Sequence, residues 1–357
     1  MLWQLADMAD RLEEAFGYEA EGAYLAGGAF DLTLIEALVE EDYTYALLPK
    51  EALSRPAYAA LEEQGVWLIP YAEGEATFEP KDPRAPYPAG YIAGGGHPRL
   101  LARKSERAAD LFAKMRWVSD KLDEAKRPPE AAYERLFRGQ WGPAYRGEDE
   151  EAFLYAWQEL LAAENLCDPR KYGWLEVYLD DMDADGFPEA ILESHTLNLY
   201  LRPAEGGALF AFDVRSDGVP LLKERSLRVH LGPSREELTP WHEVRFDASR
   251  YRDRVHLYAE KDGLSIKTTY RPTPKEEAVE VEWRLVAEAG FKGVFALDFP
   301  GLPPAEEATA LEQDFGPLTL LVSSSRPFSS GGGFIYFELE LPPERSRRVR
   351  LKFQVKR

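Results

Sequence analysis

The sequence predicts an α/β segment joined to helices and a long all-β region, an α/β plus all-β chain, and three observations carry that expectation. Apolar runs of helical period alternate with runs of strand length near the start. A second block holds apolar stripes of helical period alone. After Tyr172 about a dozen short strand-like runs follow one another, split by Gly, Asp and Pro turns. The boundaries this sets are 1–98, 99–170 and 171–357.

In the first segment Leu2, Leu5, Met8, Leu12 and Phe16 recur at three- and four-residue steps, which predicts an amphipathic helix. Ala23–Ala26 reads as a short strand, Leu32–Glu41 as a helix capped by Asp31, and Tyr43–Leu48 and Val66–Tyr71 as strands. A further helix is expected over Ala57–Gln64. The alternation favours parallel strands. Residues 73–98 are rich in proline and contain Gly94, Gly95 and Gly96, which marks a linker or long surface loop. Ser105–Lys126, Pro129–Arg138 and Glu150–Ala163 then carry three helical stripes, enough for a three-helix bundle. Among the strand runs beyond them are Trp174–Leu179, Glu189–Glu193, Glu243–Phe246, Val255–Lys261, Leu264–Tyr270 and Ala278–Ala287. Asp262-Gly263 is a hairpin signal between two of these, so an antiparallel β-sandwich is expected.

The chain has 357 residues, 45% of them hydrophobic, and a formal net charge of −20. That charge repels phosphate backbones and anionic lipid, which argues against nucleic acid and membrane surfaces, while a neutral sugar polymer meets no such barrier. No apolar run approaches the length of a membrane span, and the first residues lack the basic region and cleavage site of an export signal, so a cytoplasmic protein is expected. The lone Cys167 excludes an internal disulfide. The five histidines show no HExxH or HxH spacing, and no Walker A, GxGxxG or GxSxG motif occurs. Abundant charge and proline, with arginine exceeding lysine, fit a thermophile's composition.

Asp181, Asp183, Asp185 and Gly186 form the D-x-D-x-D-G opening of a calcium loop, with Glu189 at the ninth position and Leu192 where a bidentate glutamate would stand. The competing reading is an acidic β-hairpin turn. Arg225, Arg228 and the Arg345 to Arg350 cluster read as solvated strand positions.

The segment EAEGAYLAGGAFDLTLIEALVEEDYTYALLP (19–49) resembles a stretch of the family-57 glycoside hydrolases, the α-amylase and 4-α-glucanotransferase family. So do GGHPRLLARKSERAADLFAKMRWVSDKLDEA (95–125), residues 138–164, and residues 172–213 with DMDADGFPE and NLYLRPAEGGALFAFD. The resemblance implies that residues 1–98 are a shortened (β/α) barrel remnant and that the sandwich is of the glucanotransferase type. It also places Gly27 where the family's catalytic nucleophile belongs. The family's HQP strand and DDGEKFG motif are absent from this sequence. Retaining glycoside cleavage needs two carboxylates about 5–5.5 Å apart, and both implied positions lack one. Tyr24, Trp141 and Tyr145 could line a sugar-stacking groove or serve as ordinary interface core. The expectation is a catalytically degenerate relative that binds α-glucan or maltooligosaccharide, or assists a glucan enzyme. The alternatives are an active amylase or glucanotransferase with relocated carboxylates, and a scaffold whose incomplete α/β layer docks a protein partner.

Overall fold

The computed structural model describes residues 105–140, 144–145, 149–168, 170, 172–183 and 185–357, and before these residues 9, 14, 22–24, 33–49, 61–63 and 66–71. The chain divides into two units, Met1–Ser105 and Glu106–Arg357.

In the first unit β1 (Gly22–Tyr24), α1 (Thr33–Glu40), β2 (Tyr45–Pro49), β3 (Leu61–Glu63) and β4 (Val66–Tyr71) build a four-stranded sheet of order β1-β2-β4-β3. β2 lies parallel to both β1 and β4, with Ala23 opposite Ala46 and Ala46 opposite Leu68. The spacing of Leu34, Ile35 and Leu38 on α1 presents one apolar face, and these residues join Ala23, Ala46, Val66 and Leu68 in a small core. One expectation fails here. Leu61–Glu63, part of the helix expected over Ala57–Gln64, is a strand antiparallel to β4, with Leu61 opposite Leu68 and Glu63 opposite Val66. The expected helix 2–16, apart from residues 9 and 14, and the loop 73–98 lie outside the described residues.

The second unit opens with α2 (Glu106–Glu124), α3 (Glu130–Gly139) and α4 (Glu150–Cys167). Asp149 caps α4, its Oδ1 accepting from Ala152 N at 3.0 Å, so an otherwise orphaned amide is satisfied. Next come β5 (Leu175–Asp180), β6 (Glu189–Ser194), β7 (Leu197–Arg202), β8 (Ala208–Val214) and β9 (Val219–Pro220), an antiparallel meander in chain order. The remaining strands are β10 (Val229–Gly232), β11 (Thr239–Pro240), β12 (Asp247–Arg250), β13 (Val255–Lys261), β14 (Leu264–Thr273), β15 (Ala278–Ala287) and β16 (Phe291–Asp298). They continue with β17 (Ala305–Phe315), β18 (Leu318–Gly331), β19 (Phe334–Leu341) and β20 (Ser346–Lys356). These form one eleven-stranded antiparallel sheet of order β11-β10-β16-β19-β18-β20-β15-β14-β13-β12, with β17 added on β18.

Strand chemistry explains the layering. On β15 Val279, Val281, Trp283 and Leu285 face inward while Glu280 and Arg284 face solvent, the period of two expected of a half-buried strand. The meander differs, since every residue of β6, β7 and β8 is buried. Leu192, Leu199, Leu201 and Phe212 pack with the large sheet, whereas Ile191, Tyr200 and Phe210 pack with the helices, alongside Leu111, Val118, Trp157 and Leu160. The meander is thus covered on both faces. Asp262 and Gly263, with φ of 52° and 71°, make the expected two-residue hairpin between β13 and β14.

The expected strands depart from the structure in two ways. Glu243–Phe246 is a turn that pins its backbone elsewhere, Val244 N donating to Trp241 O and Phe246 N to Pro203 O, and the strand begins only at Asp247. β17 was missed because its sequence, AEEATALEQDF, is mostly exposed and lacks an apolar alternation. Among the described residues no helix is long and apolar enough to cross a membrane.

Candidate functional site

Gly27 and Trp141 lie outside the described residues. Tyr24 ends β1, its backbone opposite Leu47. Tyr145, in the second unit, packs against the helical core, and its hydroxyl donates to Gly139 O at 2.8 Å. Burial drives that hydroxyl far above the usual tyrosine range, so it remains a neutral donor tied to the end of α3.

The acidic turn between β5 and β6 is held by its own backbone. Asp185 N and Gly186 N donate to the Asp181 carboxylate at 3.0 and 2.9 Å, and Met182 N donates to Glu189 Oε2 at 2.9 Å. Carboxylate oxygens of Asp181, Asp183 and Glu189 come within 4.8 Å of one another. Asp185 stands outside this group, its Oδ1 accepting from Phe187 N at 2.7 Å. The buried Arg202 reaches in from β7, and its Nη1 donates to Asp183 at 2.9 Å and Glu189 at 3.0 Å. Its Nε donates to Asp110 of α2 at 3.0 Å, and Arg225 clasps the same Asp110 from Nε and Nη2. Arg225 is therefore buried and paired, not solvated as its sequence context suggested. Acids outnumber cations here, and burial pushes the Glu189 carboxyl up to about 8 in spite of Arg202. The oxygen donors suit a hard divalent cation in type, and three of them already share an arginine or a backbone amide.

A second ionic cluster, which sequence reasoning missed, lies where α2 and α4 meet the meander. Lys114, fully buried, donates to Glu164 Oε2 at 2.7 Å and to Tyr200 Oη at 2.8 Å, and lies 3.5 Å from Asp213. Lys121 bridges Glu164 and Glu193, at 2.5 Å from each. Asn198 Nδ2 also donates to Glu164, the single Tyr200 hydroxyl proton is shared between Glu193 at 2.8 Å and Glu164 at 3.1 Å, Trp117 Nε1 donates to Glu193, and Trp157 Nε1 donates to Asp213. Burial works to raise the Glu164 carboxyl, but Lys114, Lys121 and Arg215 outweigh it and hold it well below the usual range. Asp213 has weaker support, and burial lifts its carboxyl to about 6.

A cavity of about 310 Å³ opens beside Lys121, lined by Trp117 and Tyr178. Cys167 also borders it, and burial raises the thiol to about 11, which leaves it unreactive near neutrality. Because both glutamates bind one ammonium, their oxygens are at most about 5 Å apart, near the spacing of a retaining glycosidase pair. Their chemistry is different. Glu164 is held ionised and accepts from Lys114, Lys121 and Asn198, so it has no proton to give and both of its oxygens are already engaged. A signal was present in the sequence: Lys114 follows Leu111 and precedes Val118 on the apolar stripe of α2, a place where a lysine is buried only if paired.

No family model matches the chain. A stretch of 134 residues, 35% of the chain, is 30% identical to Alpha-amylase 1 of Dictyoglomus thermophilum and spans 19% of that protein's length. The 4-alpha-glucanotransferase of Thermococcus litoralis has a similar fold, with a TM-score of 0.70 over 99% of this chain and 84% of that one, at 11% identity. Over that stretch the chain is thus similar in sequence to an α-amylase, and its fold is similar to that of a 4-alpha-glucanotransferase.

Proposed function

We propose that this chain is a non-catalytic α-glucan-binding or accessory protein of carbohydrate metabolism. The observation that carries the reading is Gly27 at the position where the resemblance puts the nucleophile. Glycine offers no carboxylate to attack an anomeric carbon, and without one the covalent step is lost. Support comes from the second unit, where the acid pair Glu164 and Glu193 borders the cavity beside Lys121 but is bridged by that lysine, so neither carboxylate is free to act on a sugar. In this reading residues 1–98 are a barrel remnant, 99–170 a helical bundle and 171–357 a glucanotransferase-type sandwich, with Tyr24, Trp141 and Tyr145 as sugar contacts.

The reading includes a weak calcium site at Asp181, Asp183 and Glu189, with Asp185 outside the ligand group. Surplus negative charge supports it: calcium would add to Arg202 in neutralising these acids. Calorimetric titration with maltoheptaose, paired with an overnight assay for released reducing ends, tests the function. Saturable binding without turnover is expected. Turnover that persists through purification and disappears on changing a single Asp or Glu would overturn the proposal.

A further inference from the structure

One groove on the solvent face of the large sheet is lined by more cations than carboxylates. Strand register sets His256, Thr269, Glu282 and Arg350 in one row across β13, β14, β15 and β20. The adjacent row on the same face holds Arg271, Glu280, Lys352 and Ser323. The groove, of about 500 Å³, runs over these rows and is also lined by Arg254, which directly precedes β13. Four cations meet two carboxylates there, in a chain of net charge −20.

Three features mark the groove as more than a solvated strand face. The Nε atoms of Arg254 and Arg271 are buried and donate no hydrogen bond, and the carboxylate nearest them, Asp253, lies at 3.8 Å from Arg254 Nη1 and 3.5 Å from Arg271 Nε. Buried donors of this kind call for an acceptor. One wall is a large β-bulge, in which residues 324–327 of β18 stand against the single Thr309 of β17, so that Ser324 and Ser325 leave the pairing with β17, Ser324 still opposite Leu351 of β20, and line the groove. His256 reports the local field: burial first, then Lys267, Arg254 and Arg271, hold its imidazole below the usual range. Tyr251, half exposed, sits edge-on to His256 at 4.6 Å and under the Arg254 guanidinium at 5.4 Å, a flat apolar surface beside the cations.

We propose that this groove binds a small phosphorylated sugar, its phosphoryl group on Arg254 and Arg271 and its hydroxyls on Glu280, Ser324 and Ser325. Guanidinium pairs match phosphoryl oxygens by geometry as well as charge. Glu280 accepts from no side chain among the described residues and is free to take a sugar hydroxyl, whereas it would repel a polyanion such as nucleic acid. The site is separate from the glucan reading above, since none of its residues is among the sugar contacts named there.

Calorimetric titration of the full chain at low ionic strength tests the assignment, with glucose 6-phosphate, inorganic phosphate and glucose as separate titrants. Glucose 6-phosphate is expected to bind at one site, at least about tenfold more tightly than either fragment, and to weaken about tenfold or more in Arg254→Ala/Arg271→Ala. Ser325→Trp fills the groove while sparing every cation, and is expected to abolish binding with an unchanged thermal midpoint. Binding equal to that of inorganic phosphate, binding indifferent to both variants, or no saturable binding would each overturn the proposal. Maltoheptaose titrated into the same variants keeps the two readings apart, because its binding is expected to be unaffected.

Discussion

The two buried ionic clusters of the second unit are built from the same residue types and reach opposite balances. Around Lys114 three cations, Lys114, Lys121 and Arg215, meet Glu164, Glu193 and Asp213, and the central carboxylate is held far below its ordinary range. Around Arg202 two arginines face Asp110, Asp183, Glu189 and Glu205, and Glu189 is pushed upward. Burial is comparable in both; the supply of cations and donors decides the direction of the shift. One cluster is complete within the chain, and the other has room for added positive charge.

The largest expected effect is loss of the cation at the centre of the balanced cluster. Lys114→Met is expected to destabilise the second unit by about 3–5 kcal/mol, because Glu164 and Asp213 are left buried with their charges uncompensated. Urea unfolding measures this, and adding Glu164→Gln should restore part of the loss. A cost below about 1 kcal/mol would show that the balance is not what holds the helices to the meander.

Asp213 sharpens the comparison through pH. Its folded value near 6 lies above the ordinary aspartate value near 3.9, so the unfolded chain releases this proton first. Its contribution is complete below about pH 3.9 and is lost as pH rises through 6, amounting to about 3 kcal/mol across the window. The stability advantage of wild type over Asp213→Asn is therefore expected to shrink between pH 4 and 6 and to level off above. A difference that grows with pH would reverse the assignment.

Charge surplus at the other cluster predicts a response to calcium. Added calcium is expected to raise the thermal midpoint, by an amount corresponding to about 1–3 kcal/mol at ten to a hundred times the dissociation constant. Asp183→Asn should remove most of the gain, while Lys114→Met should leave it intact. The smallest effect is expected outside both clusters, where Arg357 pairs with Asp217 at 2.7 Å on the surface. Arg357→Ala should change the unfolding free energy by less than about 1 kcal/mol, because solvent screens the pair.

The sequence made the elements legible wherever burial imposes a period. The stripes of α2 to α4 and the alternation of β13 to β15 appear directly as spacing, and the Asp262-Gly263 turn as chemistry. β17 was hidden because an exposed strand obeys no apolar period, and β3 because three residues are too few to express one. Partnership was harder to read. Lys114, Glu164 and Asp213 are distant along the chain, and only the fold brings a helix lysine, a helix glutamate and a strand aspartate to one point. The aspartate-rich turn was recognised as a motif, yet nothing local announced that Arg202 of β7 would reach into it. Of the implied sugar contacts, only Tyr145 has a described side chain, and its hydroxyl bonds to the protein's own backbone.

The meander between β5 and β9 is sandwiched, with helices against one side and the broad sheet against the other. Neither flank can be excised without stripping one side of that central slab and leaving its apolar residues wet. Chain breakage or shuffling anywhere within this stretch should therefore be lethal to the whole of residues 106–357. Heritable variation would collect instead at the outer loops, and a fragment ending at residue 214 should be insoluble when expressed by itself.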